Sequence, residues 1–349
     1  MPNILSMAKQ VSVIIPTRNE ENFIIETLNS ILNQDYPLSQ MEIIVADGES
    51  DDATASLVNS YVQKYENVRL INNPERVVPF ALNYAIKEAV GELIIRMDSH
   101  SIYPENYVST LVKSSFSLRA DNVGARVVTL PANGGVLAES IAAAISHPMG
   151  VGNSSFRLEG NTAQEVDTVP FGCFRREVFD RIGYFDTDLI RNQDDEFNGR
   201  IIKNGGKIFL VPDLEIKYYA RGTISKMMKM FFHYGLFKPL VNKKLGSAAT
   251  LRQFVPPLFV LFLFTVLLLP FLGIYFQIMW ALGLFLYLSL DVVVSISIAL
   301  KKSRMPMLLV LPILFPLIHM AYGYGYLKGY ILVNFMGRNP GGQNFGTSR

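Results

Sequence analysis

The first hundred positions alternate between short β-branched runs and longer stretches in which apolar residues recur every three or four places. Val11-Ser12-Val13-Ile14-Ile15-Pro16 predicts a strand closed by proline. Glu21 to Leu32, with Phe23, Ile24, Thr27, Leu28 and Ile31 along one side, predicts a helix. A second buried strand, Ile43-Ile44-Val45-Ala46, ends at Asp47, and turn residues Gly48 to Asp52 lead into another helix to about Tyr65. Val68-Arg69-Leu70-Ile71 predicts a third strand and Pro79 to Val90 a helix. Glu92-Leu93-Ile94-Ile95-Arg96-Met97 predicts a fourth strand, ended by Asp98. Strands and helices alternating at these lengths imply an α/β domain with a mainly parallel, Rossmann-like sheet and right-handed crossovers. In such sheets ligands gather at the carboxyl ends of the strands.

The pattern then loosens. Val123 to Leu130 predicts a strand, Val136 to Ser146 an alanine-rich helix, and Gly150 to Thr168 a polar loop long enough for a lid or a binding segment. It tightens from Pro170 to Tyr184, and Asp194 to Lys203 predicts a helix that stops at Gly205-Gly206.

Farther on, Ile224, Met227, Met228, Phe231 and Gly235 share one face of a helix whose other face carries Lys226, Lys229 and His233. Such a segment either lies flat among lipid headgroups or packs its Met and Phe stripe on the sheet. Pro256 to Phe276 and Met279 to Leu300 are each long enough to cross a hydrocarbon layer of roughly 30 Å, joined by a very short turn. Met307 to about Val333 is a third apolar segment, interrupted by Pro312, Pro316, Gly323, Gly325 and Gly329. It either crosses once or breaks and returns, and Arg338 and Arg349 favour return. The expected organisation is a globular domain over 1–220, a basic amphipathic segment over 221–253, a membrane region over 254–335 and a tail over 336–349.

Composition fits that division. Of the 349 residues 50% are hydrophobic and only 18% charged, too apolar for one soluble domain of this length. A net charge of +2 gives no ground for nucleic-acid binding. Lys217, Arg221, Lys226, Lys229, Lys238, Lys243, Lys244 and Arg252 occur with no acid among them just before the first span, and Lys301, Lys302 and Arg304 follow the second. Both runs mark a cytoplasmic side and would attract anionic membrane lipids. The lone cysteine, Cys173, excludes an intramolecular disulfide and suits a reducing compartment. Met1 to Gln10 lacks the apolar core of a secretory signal, so the globular domain is expected in the cytoplasm, on a multi-pass protein of the plasma (inner) membrane.

Two clusters could carry chemistry. Asp47 and Asp98 both stand where strands end, and Asp98-Ser99-His100 sets an acid and an imidazole two residues apart, able to share a divalent cation. The imidazole favours Mn2+ over Mg2+. By itself the pattern better suits a loop acid beside a surface histidine. Asn192-Gln193-Asp194-Asp195-Glu196 opens a helix, where acids either complement the helix dipole or serve as a general base. Asp291 lies inside the second span, where an ionised acid is costly; it could pair with His319 or face other polar groups.

Taken together, Val11 to Glu20 with Asp47-Gly48-Glu49-Ser50-Asp51-Asp52-Ala53-Thr54 resembles the opening of family 2 glycosyltransferases of the GT-A fold. The stretch from Asn73-Pro74 through Ala81-Leu82-Asn83 to Asp98-Ser99-His100 is similar to their succinoglycan glucosyltransferase branch. The resemblance covers about residues 10 to 245 and implies a donor pocket lined by Pro16, Thr17, Arg18 and Glu20, with Asp47 at the nucleoside end and Arg76 and Asn83 in the same pocket. It places Asp98 first in a D-x-D metal motif whose last acid is here His100, for Mn2+ or Mg2+. Asp194 matches the aspartate of the family's E-D pair and is the implied catalytic base. Gln193 stands at the glutamate position, and Asp195 is the substitute base. Phe171-Gly172-Cys173-Phe174-Arg175-Arg176 resembles the segment that approaches the sugars, and Arg221 a residue that holds the diphosphate.

The function this implies is inverting transfer of a hexose from a UDP-sugar to a lipid-linked or growing cell-surface polysaccharide acceptor. A processive synthase is the nearer rival, disfavoured by the few spans and by the lack of a Q-x-x-R-W motif after Asp194. The Gln193 and His100 departures would suit a non-catalytic nucleotide-sugar-binding scaffold. The glycines of the third segment would suit a homo-oligomeric contact.

Overall fold

A computed structural model describes residues 11–152, 154–157, 163–248 and 250–341. The expectations resting on Met1 to Gln10, on Arg349 and on part of the loop between Gly150 and Thr168 lie outside the described residues.

By its internal contacts the chain forms two units. The first takes in residues up to Val128 and then Ser155–Tyr218; the second takes in Thr129–Ser154 and the described residues after Tyr218. Residues 129–154, read from sequence as part of the globular domain, group with the second unit.

The first unit holds a mixed eight-stranded sheet in the order β3-β2-β1-β4-β7-β5-β8-β6. Its strands are β1 (Val11–Thr17), β2 (Met41–Asp47), β3 (Val68–Asn72), β4 (Leu93–Arg96), β5 (Asn122–Leu130), β6 (Gln164–Glu165), β7 (Cys173–Arg175) and β8 (Ile208–Tyr219). The first four pair in parallel, as the βα alternation predicts. The parallel reading fails beyond β4, where β7 runs antiparallel between β4 and β5 and β6 runs antiparallel to β8. With three and two residues respectively, β7 and β6 are too short for a period to show in the sequence.

Alternation along the parallel strands feeds two apolar layers. Val13, Ile15, Ile43, Val45 and Ile95 join α1 (Ile24–Leu32) and an unforeseen α4 (Tyr107–Ser117) on one face, with α2 (Thr54–Lys64) at its margin. Ile14, Ile44, Ala46 and Ile94 join α3 (Val78–Glu88) on the other. There Phe174, Phe179, Phe185 and Phe197 interlock, Phe185 and Phe197 at 4.5 Å between ring centroids. Each fully buried apolar side chain of this kind contributes about 1.5–3 kcal/mol. The consequence for function is rigidity where it matters, because Phe197 lies on the helix that carries the acidic cluster.

The second unit is helical: α5 (Val136–Ala144), α6 (Pro148–Val151), α9 (Ile224–Leu245), α10 (Val255–Phe264), α11 (Ile274–Lys301) and α12 (Leu311–Tyr330). In the first unit α7 (Arg176–Ile182) and α8 (Gln193–Lys203) complete the numbering. Met227 and Phe231, two of the five residues of the apolar stripe, are buried with Ile141, Leu314 and Ile318. Glycine explains how α9 and α12 come so close. A Cβ on Gly235 would sit 2.1 Å from the Tyr322 carbonyl oxygen, one on Gly325 2.2 Å from that of Phe232, and one on Gly329 2.1 Å from that of Leu236. These glycines serve an intramolecular contact, and α12 neither breaks nor turns back at them.

Two segments are long and apolar enough to cross a membrane, Leu251–Phe271 and Ile274–Lys301, with mean hydropathy 2.4 and 2.1. Only 11% and 17% of their most apolar windows are buried, so neither is a sealed core helix. The reversal falls at Leu272-Gly273, earlier than expected, where Gln277 donates to the Leu269 and Leu272 carbonyls. Asp291 and His319 do not pair. Ser295 donates to Asp291 at 3.3 Å, while His319 donates from Nε2 to the Met149 carbonyl and accepts from Tyr287 at Nδ1.

Candidate active site

Parallel pairing aligns the carboxyl ends of β1, β2 and β4. Thr17 stands beside Asp47 in the ladder, Pro16 beside Ala46, and Met97 donates to the Ile14 carbonyl. The loops leaving these strands therefore open at one edge. Asp47 turns its own loop, accepting from Ser50 N at 3.0 Å and Ser50 Oγ at 2.5 Å. Gly48 admits Arg18 and Arg76 closely, since a Cβ there would lie 3.3 Å from each. Arg76 donates from Nε to Glu49 at 2.7 Å and Arg18 faces Asp51 at 3.8 Å. Both ends of the Asn83 amide engage the backbone of Phe185, so this residue ties α3 to the loop before α8. Arg221 belongs to the second unit, just ahead of α9.

The loop after β4 is held by Tyr103, whose hydroxyl accepts from Asp98 N at 2.6 Å; burial raises that phenol well above its ordinary pKa, so it keeps its proton. Ser99 reaches toward the Pro16 carbonyl. His100 Nδ1 lies 3.7 Å from a carboxylate oxygen of Glu20, itself buried in the loop after β1.

Asp98 and Asp194 meet on one arginine. Arg96, the last residue of β4 and only 4% exposed, donates from Nη1 to Asp194 Oδ1 at 2.5 Å and from Nη2 to Asp98 Oδ1 at 3.2 Å. Its guanidinium lies 5.4 Å from the centre of the Phe171 ring. This residue was missed in the sequence, although a charge in an otherwise apolar parallel strand is a signal in itself, because a buried arginine needs a partner. Burial pushes the Asp194 carboxyl above the ordinary aspartate range, opposed by Arg96 and reinforced by the charges of Asp98 and Asp195. The side chain keeps 24% of its surface, so a substrate can reach it.

Of the three acids opening α8, Glu196 accepts two bonds from Arg200 at 2.6 and 2.9 Å and is a structural member. Among the described residues no three His, Cys, Asp or Glu side chains form a metal cage. Asp98 Oδ1 accepts from Arg96, and no described residue donates to Oδ2. That carboxylate fits a hard cation.

The family described as glycosyl transferase family 2 matches residues 12–183. Over 333 residues the chain is 30% identical to the dolichyl N-acetyl-alpha-D-glucosaminyl phosphate 3-beta-D-2,3-diacetamido-2,3-dideoxy-beta-D-glucuronosyltransferase of Methanococcus voltae, across 93% of this chain and 98% of that protein. It is 26% identical to the succinoglycan biosynthesis protein ExoA of Rhizobium meliloti, across 70% and 73%. Among solved structures it resembles the Pyrobaculum calidifontis mannosyltransferase PcManGT in complex with GDP-Man and Mn2+, with TM-score 0.59 and 20% identity over 93% of this chain and 88% of that one. It also resembles S. aureus TarS in complex with UDP-GlcNAc, with TM-score 0.52 and 18% identity over 94% and 92%. The structural likenesses establish the GT-A type of fold, and the family match with the full-length archaeal relative establishes descent: the chain belongs to glycosyl transferase family 2 and is a glycosyltransferase.

Proposed function

We propose that this enzyme moves a hexose from a nucleoside diphosphate sugar, UDP-linked by the sequence resemblance, to a lipid-linked or growing cell-surface glycan. The reaction is a single inverting displacement at the cytoplasmic face of the plasma membrane. The observation that carries the reading is the meeting of Asp98 and Asp194 on Arg96 at the carboxyl edge of the sheet. One carboxylate then serves the departing diphosphate and the other the attacking hydroxyl.

In this scheme the acceptor hydroxyl oxygen bonds to the anomeric carbon as its proton passes to Asp194. The bond from that carbon to the diphosphate oxygen breaks, its electron pair leaving with the diphosphate, and the configuration inverts. A base in position contributes about 10²–10⁴ in rate, and an aspartate lifted by burial is a better proton acceptor than an ordinary one. Mn2+ or Mg2+ on Asp98, with His100 as second ligand, would supply Lewis-acid neutralisation of the diphosphate. Glu20 near Nδ1 favours the proton there, the tautomer that metal ligation through Nε2 requires. Pro16, Thr17, Arg18, Asp47 and Arg76 would border the nucleoside.

The acceptor assignment draws on the archaeal relative, named for a dolichyl phosphate substrate, and on the two apolar segments that would keep the enzyme at a lipid surface. The test incubates the detergent-purified chain with UDP-hexoses, UDP-GlcNAc or GDP-mannose, Mn2+ and polyprenyl-phosphate-linked sugars. The expected result is nucleoside diphosphate release and glycolipid extension, both abolished by EDTA. Binding of a donor without metal-dependent release would overturn the enzyme mechanism in favour of a scaffold.

A further inference from the structure

Asp98 is fixed by its own strand end, but Asp194 comes from a helix, 98 residues after Arg96 in the chain. Arg96 is the only described hydrogen-bond partner of the Asp194 carboxylate. The arginine itself has little freedom. Its backbone sits in register with Ile14 of β1 and donates to the Gly172 carbonyl at 3.0 Å, its side chain is 5% exposed, and the Phe171 ring flanks it. Its Nε has no hydrogen-bond partner among the described residues, so the two terminal nitrogens form the fork.

We propose that Arg96 is a positioning residue that sets the separation between the leaving-group side and the acceptor side of the reaction, holding Asp98 and Asp194 on the two tips of one planar guanidinium. The inference rests on Asp194 being the base. A guanidinium is rigid and presents its donors at fixed spacing, whereas an ammonium is a point charge on a flexible stem. Lysine at this position keeps the charge and can satisfy one carboxylate, but it cannot hold two at a set distance. A displacement of about 1 Å in a reacting group costs about 10²-fold in rate. A role in geometry and a role in charge therefore separate cleanly.

The experiment compares full-length wild type, Arg96→Lys, Arg96→Gln and Asp194→Asn in detergent. It reads UDP binding with Mn2+ by calorimetry, and kcat and KM for the donor and lipid acceptor found active in the panel above. For Arg96→Lys the expected result is a Kd for UDP and an acceptor KM within about threefold of wild type, with kcat down by about 100-fold. Arg96→Gln should be no better. Retention of kcat by Arg96→Lys, with Asp194→Asn inactive, overturns the positioning role and leaves the base intact. Retention of kcat by Asp194→Asn overturns the base assignment itself. Loss of UDP binding in both Arg96 variants also overturns the proposal, because Arg96 would then hold the donor or the fold.

Discussion

Asn198 accepts a hydrogen bond from Asn122 at 2.8 Å inside the interface between helix and sheet, one turn beyond Asp194. Both side chains are buried, and Asn198 also donates to Thr168 Oγ1 at 2.8 Å and to the Val169 carbonyl at 3.0 Å. This network and the Phe185–Phe197 stack fix the helix that presents the acidic cluster, so a polar residue far from any reacting atom helps aim Asp194. Asn198→Leu keeps the branching at Cγ but strands three buried polar groups, at about 1–3 kcal/mol for each group left unsatisfied. The expected outcome is a lower melting temperature, read by scanning calorimetry in detergent. Turnover should fall further than UDP affinity does.

The inner parallel strands β1, β2 and β4 were legible because they are buried on both faces. Runs such as Ile43-Ile44-Val45-Ala46, closed by Asp or Pro, have few other readings. For the same reason Asp47 and Asp98 could be placed at strand ends, and α8 begins within one residue of its expected start. The antiparallel half was less legible. β8 does alternate, with Leu214, Ile216 and Tyr218 buried between exposed Asp213, Glu215 and Lys217, but a proline within it reads as a break. The grouping of α5 with the second unit depends on Ile141, Ala144 and Ile145 meeting α12, a long-range contact with no local signature. Arg96 escaped notice because its partners are set by the fold; the sequence places one of them two residues away and the other far down the chain.

Glu20 provides a test of how His100 is used. Its carboxylate lies 3.7 Å from Nδ1 of His100 and is buried. Outer partners of this kind typically change metal affinity by about 10–100-fold when removed. Glu20→Gln should weaken Mn2+ binding by that factor, measured by electron paramagnetic resonance of free Mn2+ in the presence of UDP. Asp98→Asn should weaken it further, as expected for a direct ligand. An unchanged Mn2+ isotherm in Glu20→Gln would remove His100 from the metal site.

Helix packing in the second unit yields a sharper steric prediction. Any side chain at Gly325 meets the Phe232 carbonyl oxygen at 2.2 Å and the Leu236 amide nitrogen at 3.1 Å, both backbone atoms that can move only with α9 itself. Gly325→Val should force the helices apart at a cost of about 1–3 kcal/mol or more, as overpacking does in tight interiors. Gly134→Ala is the control, because nothing lies within 4 Å of a Cβ there. The pair is compared by thermal unfolding in detergent; equal melting temperatures would mean that α9 and α12 do not pack through these glycines.

Cys173 lies on β7 between β4 and β5, fully buried, and burial pushes its thiol up to about 12. Only the thiolate attacks alkylating reagents, so at pH 8 its reactive fraction in the folded protein is on the order of 10⁻⁴. Iodoacetamide at that pH should leave the native protein unlabelled and label it rapidly in denaturant, with mass spectrometry as the readout. The linkage has a definite sign. An unfolded cysteine releases its proton near 9 while the folded one holds it to about 12, so the group contributes stability below 9 that is lost as pH rises toward 12. Cys173→Ala removes this dependence, and its stability should therefore fall less steeply than that of wild type across the same interval. Rapid labelling of the native wild type at pH 8 would instead mean that the β4–β7–β5 strip opens readily, taking with it the backbone support of Arg96 at Gly172.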